Sequence, residues 1–461
     1  MGQPIRKKIQ EVHADLIKEP PFRTLLVDGG SLLFHSFGNL TMNSDGVIVG
    51  PIKQFLTQIR TQLEKAEFEY VYVFFDDEYS GWLRWNLYNY YKANRDKYYD
   101  EYSQSDYGKL YNQTLKSMQN SIYNKKPVYQ AKSYSGRFYK MPMPNGEIKF
   151  KVLEEHGETL TVNYVIRYNG KRDSVRGTKD TQINKIKGKA EEIREREYKY
   201  FAQNDLEYLI SENFDRCRDI LCLIFNELYI RWNMDEIVEG DDFIAYYCQH
   251  KKENEKIVII SGDMDLSQLI ADDICIYNLN QKKYITPANF TSTFGYYYEN
   301  TAVKKILCGD VSDNISNIKG LSENALMELM PELKTKKVTL DDVKNRAQEL
   351  IDERIKNKKK PLQVHQNIVN GVSNKKYDGD FYEINEKIID LHKPLLTEWA
   401  QEAIESMMYA PMDPEGRSIQ NLYRIILDQN IEDLRSDTQF SSFFRPFKKL
   451  EEKEKKRFED N

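Results

Sequence analysis

Three aspartates stand at the ends of apolar runs. Asp28 closes Thr24-Leu25-Leu26-Val27, Asp76 closes Val71-Tyr72-Val73-Phe74-Phe75, and Asp263 follows Ile257-Val258-Ile259-Ile260 after Ser261 and Gly262. Continuous aliphatic and aromatic runs of this length read as buried parallel strands. In an open parallel sheet, ligands gather at the carboxyl ends of the strands. Carboxylates delivered there together repel one another unless a cation lies between them. More acids crowd the same picture: Glu239, Asp241 and Asp242 in EGDD, Asp265 in SGDMD, and Asp310 and Asp313 in GDVSDN. Such an all-oxygen donor set suits a hard divalent ion, Mg²⁺ with Mn²⁺ as substitute. Two of these ions about 4 Å apart can activate a water and stabilise the leaving oxygen of a phosphodiester. One aspartate after a strand is usually a turn residue or a helix cap; three strand-end acids with three further acidic motifs are harder to read that way. No Ser/His or Cys/His arrangement accompanies the cluster, so no covalent intermediate is expected.

Strand and helix signals alternate over 22–98 and return over 234–300, and the acids fall within or just after these stretches. After Asp76 the segment from Ser80 to Arg95, SGWLRWNLYNYYKANR, reads as a helix with Arg84, Lys92 and Arg95 near one face and Tyr88, Tyr90 and Tyr91 interleaved. Cations there could meet phosphates and aromatic faces could stack a frayed base; alone, the same pattern is an amphipathic surface helix with snorkelling cations. Glu239 and Asp242 are three apart and share a helix face, and Asp241 lies near the positive end of that helix. Residues 100–200 are polar and rich in Tyr, Lys and Asn, with one clear hairpin: Glu147 to Leu153 alternates, His156-Gly157 turns, and Thr159 to Tyr168 alternates again. Its aromatic and basic mix (Tyr134, Arg137, Tyr139, Lys140) more often decorates a hairpin than binds single strands. From about Thr181 to Trp232 the pattern is helical, and beyond 335 it is helical and polar.

With 461 residues the chain is long enough for two or three domains. Its net charge of −5 lacks the global basicity of many DNA binders, but a dense acidic site can hide basic patches in the sum. No apolar run approaches a membrane span and no secretory signal opens the chain, so a soluble cytoplasmic protein without membrane partners is expected. The five cysteines are scattered, odd in number, and match neither a disulfide framework nor a zinc pattern.

The segments LLVDGGSLLFHSF, FFDDEYSGWLRWNLYNYYKANR, EGDDFIAYY, VIISGDMDLSQLI and LCGDVSDNISNIKG, in this order and spacing, resemble the 5′-nuclease or flap-endonuclease family, nearest to bacteriophage members of the ribonuclease H type. The resemblance implies a PIN-like α/β fold: a mostly parallel central sheet flanked by helices, with an inserted arch and hairpin subdomain and a helical C-terminal region. It implies that Asp28, Asp76, Asp241 and Asp263, with Glu239 beside them, hold one Mg²⁺. Asp265, Asp310 and Asp313 would hold a second, and Asp77 and Asp242 would support their neighbours. Arg84 and Lys92 match the family's pair that grips the scissile phosphate at the base of a helical arch; Arg95 and Tyr91 would add nucleic-acid contacts. GDVSDNISNIKG resembles the family's helix–three-turn–helix, which binds a duplex backbone, with Lys304, Lys305, Lys319 and Gly320 as its contacts. Ser322 stands where a second glycine is common, and Asn324 near the usual lysine.

The expected organisation is an N-terminal extension (1–20), a first nuclease-core segment (21–98), an arch region carrying the hairpin subdomain (99–233), a second nuclease-core segment (234–300), the helix–three-turn–helix (301–335) and a helical C-terminal region (336–461). The hairpin subdomain, at about 125–175, has no counterpart in the family pattern. The implied activity is metal-dependent hydrolysis near 5′ ends of RNA–DNA and DNA duplexes and of flaps, removing primers in the host-cell cytoplasm during phage replication. A single-stranded DNA-binding protein or sliding clamp would be a fitting partner. Two rivals remain: a PIN-like endoribonuclease on structured RNA, which needs neither the Arg84/Lys92 pair nor the duplex clamp, and an idle DNA-junction binder, which should have lost ligands.

Overall fold

The structure, a computed structural model, describes residues 23–77, 79–93, 138–143, 146–156, 159–168, 171–173, 210 and 213–460. The expected N-terminal extension, Arg95, Tyr134, Arg137 and the helical stretch over 181–209 lie outside the described residues. The chain divides into two units, residues 1–96 with 213–461, and residues 97–212.

The first unit runs β1 (Arg23–Asp28), α1 (Gly29–Ser36), α2 (Gly50–Lys65), β2 (Tyr70–Asp76) and α3 (Trp82–Leu87) before the chain leaves it. The second unit contributes β3 (Phe138–Met143), β4 (Gly146–His156), β5 (Thr159–Tyr168) and β6 (Lys171–Asp173), an antiparallel meander in which His156 pairs with Thr159 across the turn. The first unit resumes with α4 (213–227), β7 (Arg231–Asp235), α5 (Gly240–Gln249), β8 (Lys256–Ser261), β9 (Ile274–Asn278) and β10 (Lys283–Ile285). Helices α6 (Pro287–Phe294), α7 (Thr301–Cys308), α8 (Glu323–Leu329), α9 (Leu340–Lys356), α10 (Gln363–Asn370) and α11 (Phe381–Ile389) follow. Last come α12 (Glu398–Met407), α13 (Ile419–Asp428), α14 (Asp437–Phe444) and α15 (Lys448–Asp460).

The central sheet has the order β10-β9-β8-β1-β2-β7. Every pairing is parallel except β10 on β9. Strands β1, β2 and β8 are buried along nearly their whole length, which is why they read as unbroken apolar runs: helices cover both faces. Succession reverses at β1, with β2 on one side and the later β8 on the other, so the crevice at their carboxyl ends is where a ligand belongs. One core cluster packs α5 residues Phe243, Ile244 and Tyr247 on Leu26, Tyr72 and Ile259 of the sheet. A second joins α7 to α11 around Ile306, Leu307, Ile318, Leu326 and Ile368. No helix among the described residues is long and apolar enough to cross a membrane.

Two expected elements differ. Of the helix expected over Ser80 to Arg95, the described residues from Ser80 to Lys92 form a helix only at Trp82–Leu87: Tyr88 is already extended at φ −147°, and Lys92 adopts a left-handed φ of +53°. The expected helix to Trp232 stops at 227, and Arg231–Asp235 forms the edge strand β7 instead. Tyr229, at φ +56°, breaks the helix, and only Arg231 of the strand is fully buried, so its pattern carries no strand signal.

Candidate active site

Asp28 ends β1 and caps α1, accepting from Ser31 N–H at 2.9 Å, while the Ser261 hydroxyl donates to its other oxygen at 2.6 Å. The two serines lace neighbouring loops together. Gly262 N–H donates to Ser31 Oγ at 2.9 Å, and Asp263 N–H to Ser261 Oγ at 2.8 Å. Asp76 ends β2 and accepts from Gly240 N–H at 2.7 Å, which ties it to the start of α5. A Cβ on Gly30 would lie 3.8 Å from Asp28 Oδ1 and 4.0 Å from Asp76 Oδ2, so both carboxylates lie beside this glycine.

Burial pushes the Asp28 carboxyl up to about 7 against its hydrogen bonds, with Asp76 and Asp263 adding repulsion. Burial likewise raises Asp76, and the charge of Glu239 adds to the shift. Asp241 is driven far above the carboxylate range by burial and by the charges of Asp28, Asp263, Asp76 and Asp265. The residues therefore form one electrostatic cluster with more negative charge than its surroundings offset.

The second group comes from two turns. Asp265, Asp310 and Asp313 each bring a carboxylate oxygen within 4.8 Å of the others. Asp265 N–H donates to Asp263 Oδ1 at 2.8 Å, joining this group to the first. The Asp310 turn is closed by Ser312, whose N–H and hydroxyl both donate to Asp310 Oδ1, and by backbone pairing of Asp310 with Ile315. Lys305 bonds both Asp265 and Asp310, the latter at 2.5 Å. Burial works against the charge of Asp310, but Lys305 and the Ser312 hydrogen bonds outweigh it and hold the carboxyl near 2. Asp265 is pushed up to about 6 by burial and Asp263 despite Lys305. Lys305, expected to touch nucleic acid, instead neutralises this acidic group, because it projects from the last turn of α7 onto the Asp310 turn that follows.

Arg84 is placed differently from expectation. It is 5 % exposed, and its guanidinium spans Asp242 at 2.5 and 3.0 Å, Glu239 at 2.7 Å, and the Ile388 carbonyl at 2.9 Å. With those partners it is a strut holding the start of α5 to α11, and not a cation turned to solvent. Burial opposes its charge, but Asp242 and Glu239 outweigh that and keep it ionised. Asp242 is fully buried and also caps the backbone of Leu395 at 2.9 Å. Glu239 takes Arg84, Lys92 and the Tyr91 hydroxyl, the last at 3.1 and 3.2 Å. Burial alone would raise its pKa, yet the two cations hold it down to about 2. Tyr91 is likewise buried, its hydroxyl also 3.5 Å from Asp313, so it is a bridge between the two acidic groups and not a stacking surface. Lys92 keeps part of its side chain open, at 26 %. Its backbone N–H donates to the Asp313 carbonyl at 3.0 Å, and Asn314 Nδ2 donates to the Tyr90 carbonyl at 2.6 Å.

The remaining expected residues lie apart. Asp77 is 3.9 Å from Arg218. Lys304 pairs with Glu323 at 2.8 Å and lies over the Tyr296 ring. Lys319 is exposed, and Gly320 beside it has φ +81°, a conformation that favours glycine. Ser322, in the position where glycine was expected, caps α8 by accepting from Ala325 N–H. The reading of the residues missed Ser31 and Ser261, whose only signal is their place one turn or less from strand-end aspartates. It also passed over Trp82 and Trp85, which stack at 5.2 Å yet stay 46 % and 43 % exposed.

This constellation gathers carboxylates at the carboxyl edge of a parallel sheet, beside a short helix and turn that supply cations, and Asp265, Asp310 and Asp313 in it could hold a metal ion. The model of the family "5′-3′ exonuclease, N-terminal resolvase-like domain" matches residues 23–128 and 174–295. The chain belongs to this 5′-nuclease family. The break in the match falls on 129–173, the hairpin segment. A 5′-3′ exonuclease of Buchnera aphidicola subsp. Schizaphis graminum is 34 % identical over 84 residues, 18 % of this chain and 29 % of that protein. A 5′-3′ exonuclease of Mycoplasmopsis pulmonis is 32 % identical over 108 residues, 23 % of this chain and 36 % of that protein. The thermostable DNA polymerase I of Thermus caldophilus is 29 % identical over 119 residues, 26 % of this chain and 14 % of that one. The chain thus spans well under half the length of each of these curated relatives. Among solved structures, T5 5′-exonuclease with bound divalent metal ions (zinc) is 14 % identical with a TM-score of 0.44, covering 88 % of this chain and 98 % of that one.

Proposed function

We propose that this protein is a metal-dependent 5′ nuclease that hydrolyses phosphodiesters near the 5′ ends of duplexes and flaps, RNA–DNA included, in a phage-type replication system. The observation that carries the reading is the excess of negative charge at the sheet edge. Asp28, Asp241 and Asp265 are all held above the ordinary carboxylate range by burial first and by neighbouring acids, Asp263 among them in each case. Oxygen-only donors in that state fit hard divalent ions. Asp28, Asp76, Asp241 and Asp263 would hold one Mg²⁺ or Mn²⁺, and Asp265, Asp310 and Asp313 a second. Such ions supply Lewis acidity for water attack and for the charge that develops at phosphorus.

The chain's own residues set the rest. Ser31 and Ser261 fix the Asp28 carboxylate by hydrogen bonds to both of its oxygens. Arg84 fixes Glu239 and Asp242, and so the first turn of α5 from which Asp241 projects. Lys92, part open beside Glu239, would meet a phosphate oxygen, an interaction worth most when charge develops there. Lys319 and the Gly320 turn present a cation and open backbone to the duplex.

The test is a 5′-labelled flap duplex incubated with the protein in chelator and again with Mg²⁺ or Mn²⁺. Cleavage near the 5′ end should appear only with metal, and Asp263→Asn should abolish it while binding persists. Metal-independent cleavage, or full activity in Asp263→Asn, would refute the assignment.

A further inference from the structure

The end of α9 and the connection that follows read Lys356-Asn357-Lys358-Lys359-Lys360-Pro361. In a chain of net charge −5 these lysines are exposed without exception, and none forms an ion pair with a described residue. Some lysines elsewhere on the surface find acids, as Lys387 finds Glu383 and Lys393 finds Glu386. The run is also firmly built. Lys358 N–H donates to the Ile355 carbonyl at 2.9 Å, Lys359 N–H to the Arg354 carbonyl at 2.8 Å, and Arg354 Nε to the Lys360 carbonyl at 2.8 Å. Lys358 has a left-handed φ of +55° just past the end of α9, the position where helices favour glycine. A lysine stands there against backbone preference, beside like charges that repel it.

Helix α10 leads from this run to the turn proposed above as a duplex contact. Asn367 Nδ2 donates to the Lys319 carbonyl at 2.8 Å, Lys319 N–H donates to the Val372 carbonyl at 2.8 Å, and Ile318 bridges to Ser373. The first residue of α10 lies about 6 Å along the axis from Asn367. A duplex carries one charge per roughly 1.7 Å of its axis, so a duplex seated on the Lys319 turn brings further phosphates within reach of the run.

We propose that Lys358, Lys359 and Lys360 form a second phosphate-backbone contact for duplex nucleic acid, extending the grip of the Lys319–Gly320 turn; this rests on the nuclease reading above. The contact is sequence-independent and steadies the duplex away from the scissile bond. The test uses the full chain with Lys358, Lys359 and Lys360 all changed to Gln, which keeps a polar, flexible side chain and removes charge. Binding to a flap duplex is measured in chelator over about 50 to 200 mM salt, and cleavage is measured with Mg²⁺. The slope of log affinity against log salt should fall by roughly 2 to 3, about one for each phosphate that is no longer neutralised. The rate at saturating substrate should stay that of the wild type, and the triple Arg variant should recover the slope. An unchanged slope in the Gln variant, with wild-type protein binding and cleaving normally, overturns the proposal alone. Failure of the wild type to bind or cleave the flap instead overturns the nuclease reading beneath it.

Discussion

Replacing Asp28 by Asn should stabilise the metal-free protein at alkaline pH, although it removes a residue assigned to the active site. The folded chain holds the Asp28 carboxyl near 7, chiefly by burial, against a reference value of 3.8. A group whose folded pKa is raised favours folding below its unfolded pKa, and that contribution is lost as pH climbs to the folded value. At about 1.4 kcal/mol per unit, roughly three units give an upper figure of about 4 kcal/mol. Asp28 keeps some solvent access, so about 2 kcal/mol is the expected size. The loss should build from about pH 4 and be complete above about pH 7. The assay is thermal unfolding in chelator at pH 5 and pH 8, repeated with Mg²⁺. In chelator at pH 8, Asp28→Asn should melt a few degrees above the wild type, with a smaller gap at pH 5. Mg²⁺ should raise the wild type more than the variant, because a bound cation stabilises only the ionised cluster. An Asn variant that is less stable than wild type by the same amount at both pH values would refute the reasoning. It would make Asp28 an ordinary cap of α1 that the structure prefers ionised.

Arg84→Ala should cost about 3 to 5 kcal/mol of folding stability, since it leaves Asp242 buried without its cation, whereas Lys92→Ala should cost less, because Glu239 keeps Arg84, but lower kcat roughly 10²-fold. The reverse ranking in paired melting and rate measurements would restore Arg84 as the phosphate grip. Lys305→Gln removes the cation between Asp265 and Asp310, so calorimetric titration should find tighter Mn²⁺ binding than in the wild type; weaker binding would show that Lys305 orients the acids more than it competes. Replacing about 125–180 with a Gly/Ser linker should leave a folded, metal-dependent nuclease with reduced preference for flap over nicked substrates in direct competition. Equal losses on both substrates would mean that the segment does not read single strands.

The strands that carry Asp28, Asp76 and Asp263 were legible because burial on both faces writes an unbroken apolar run. The acids were legible because they follow those runs directly. Arg84 was not. Its partners Glu239 and Asp242 lie over 150 positions away, and nothing local distinguishes a guanidinium aimed inward from one aimed at a phosphate. The segment to Arg95 looked helical because its aromatic and basic residues keep a helical period, yet a backbone bond from Lys92 to Asp313 and a side-chain bond from Asn314 to Tyr90 hold residues 88–92 in turns. Strand β7 was hidden by its place at the sheet edge, where half-buried residues need no pattern. The lysine run at 356–360 was plain in the sequence, but only the hydrogen bonds of α10 connect it to the Lys319 turn.

The pinning of Lys92 and Tyr90 to the Asp313–Asn314 turn has an evolutionary consequence. The chain leaves the first unit close after a point pinned to the Asp313–Asn314 turn, so a pull from whatever follows is borne there before it reaches the carboxylates of the sheet edge. Loop closure grows only with the logarithm of length, at about 0.6 kcal/mol per doubling. A lineage carrying this joint could therefore lengthen, shorten or exchange the excursion with little effect on the chemistry, acquiring new substrate preferences while its catalytic geometry stays unchanged.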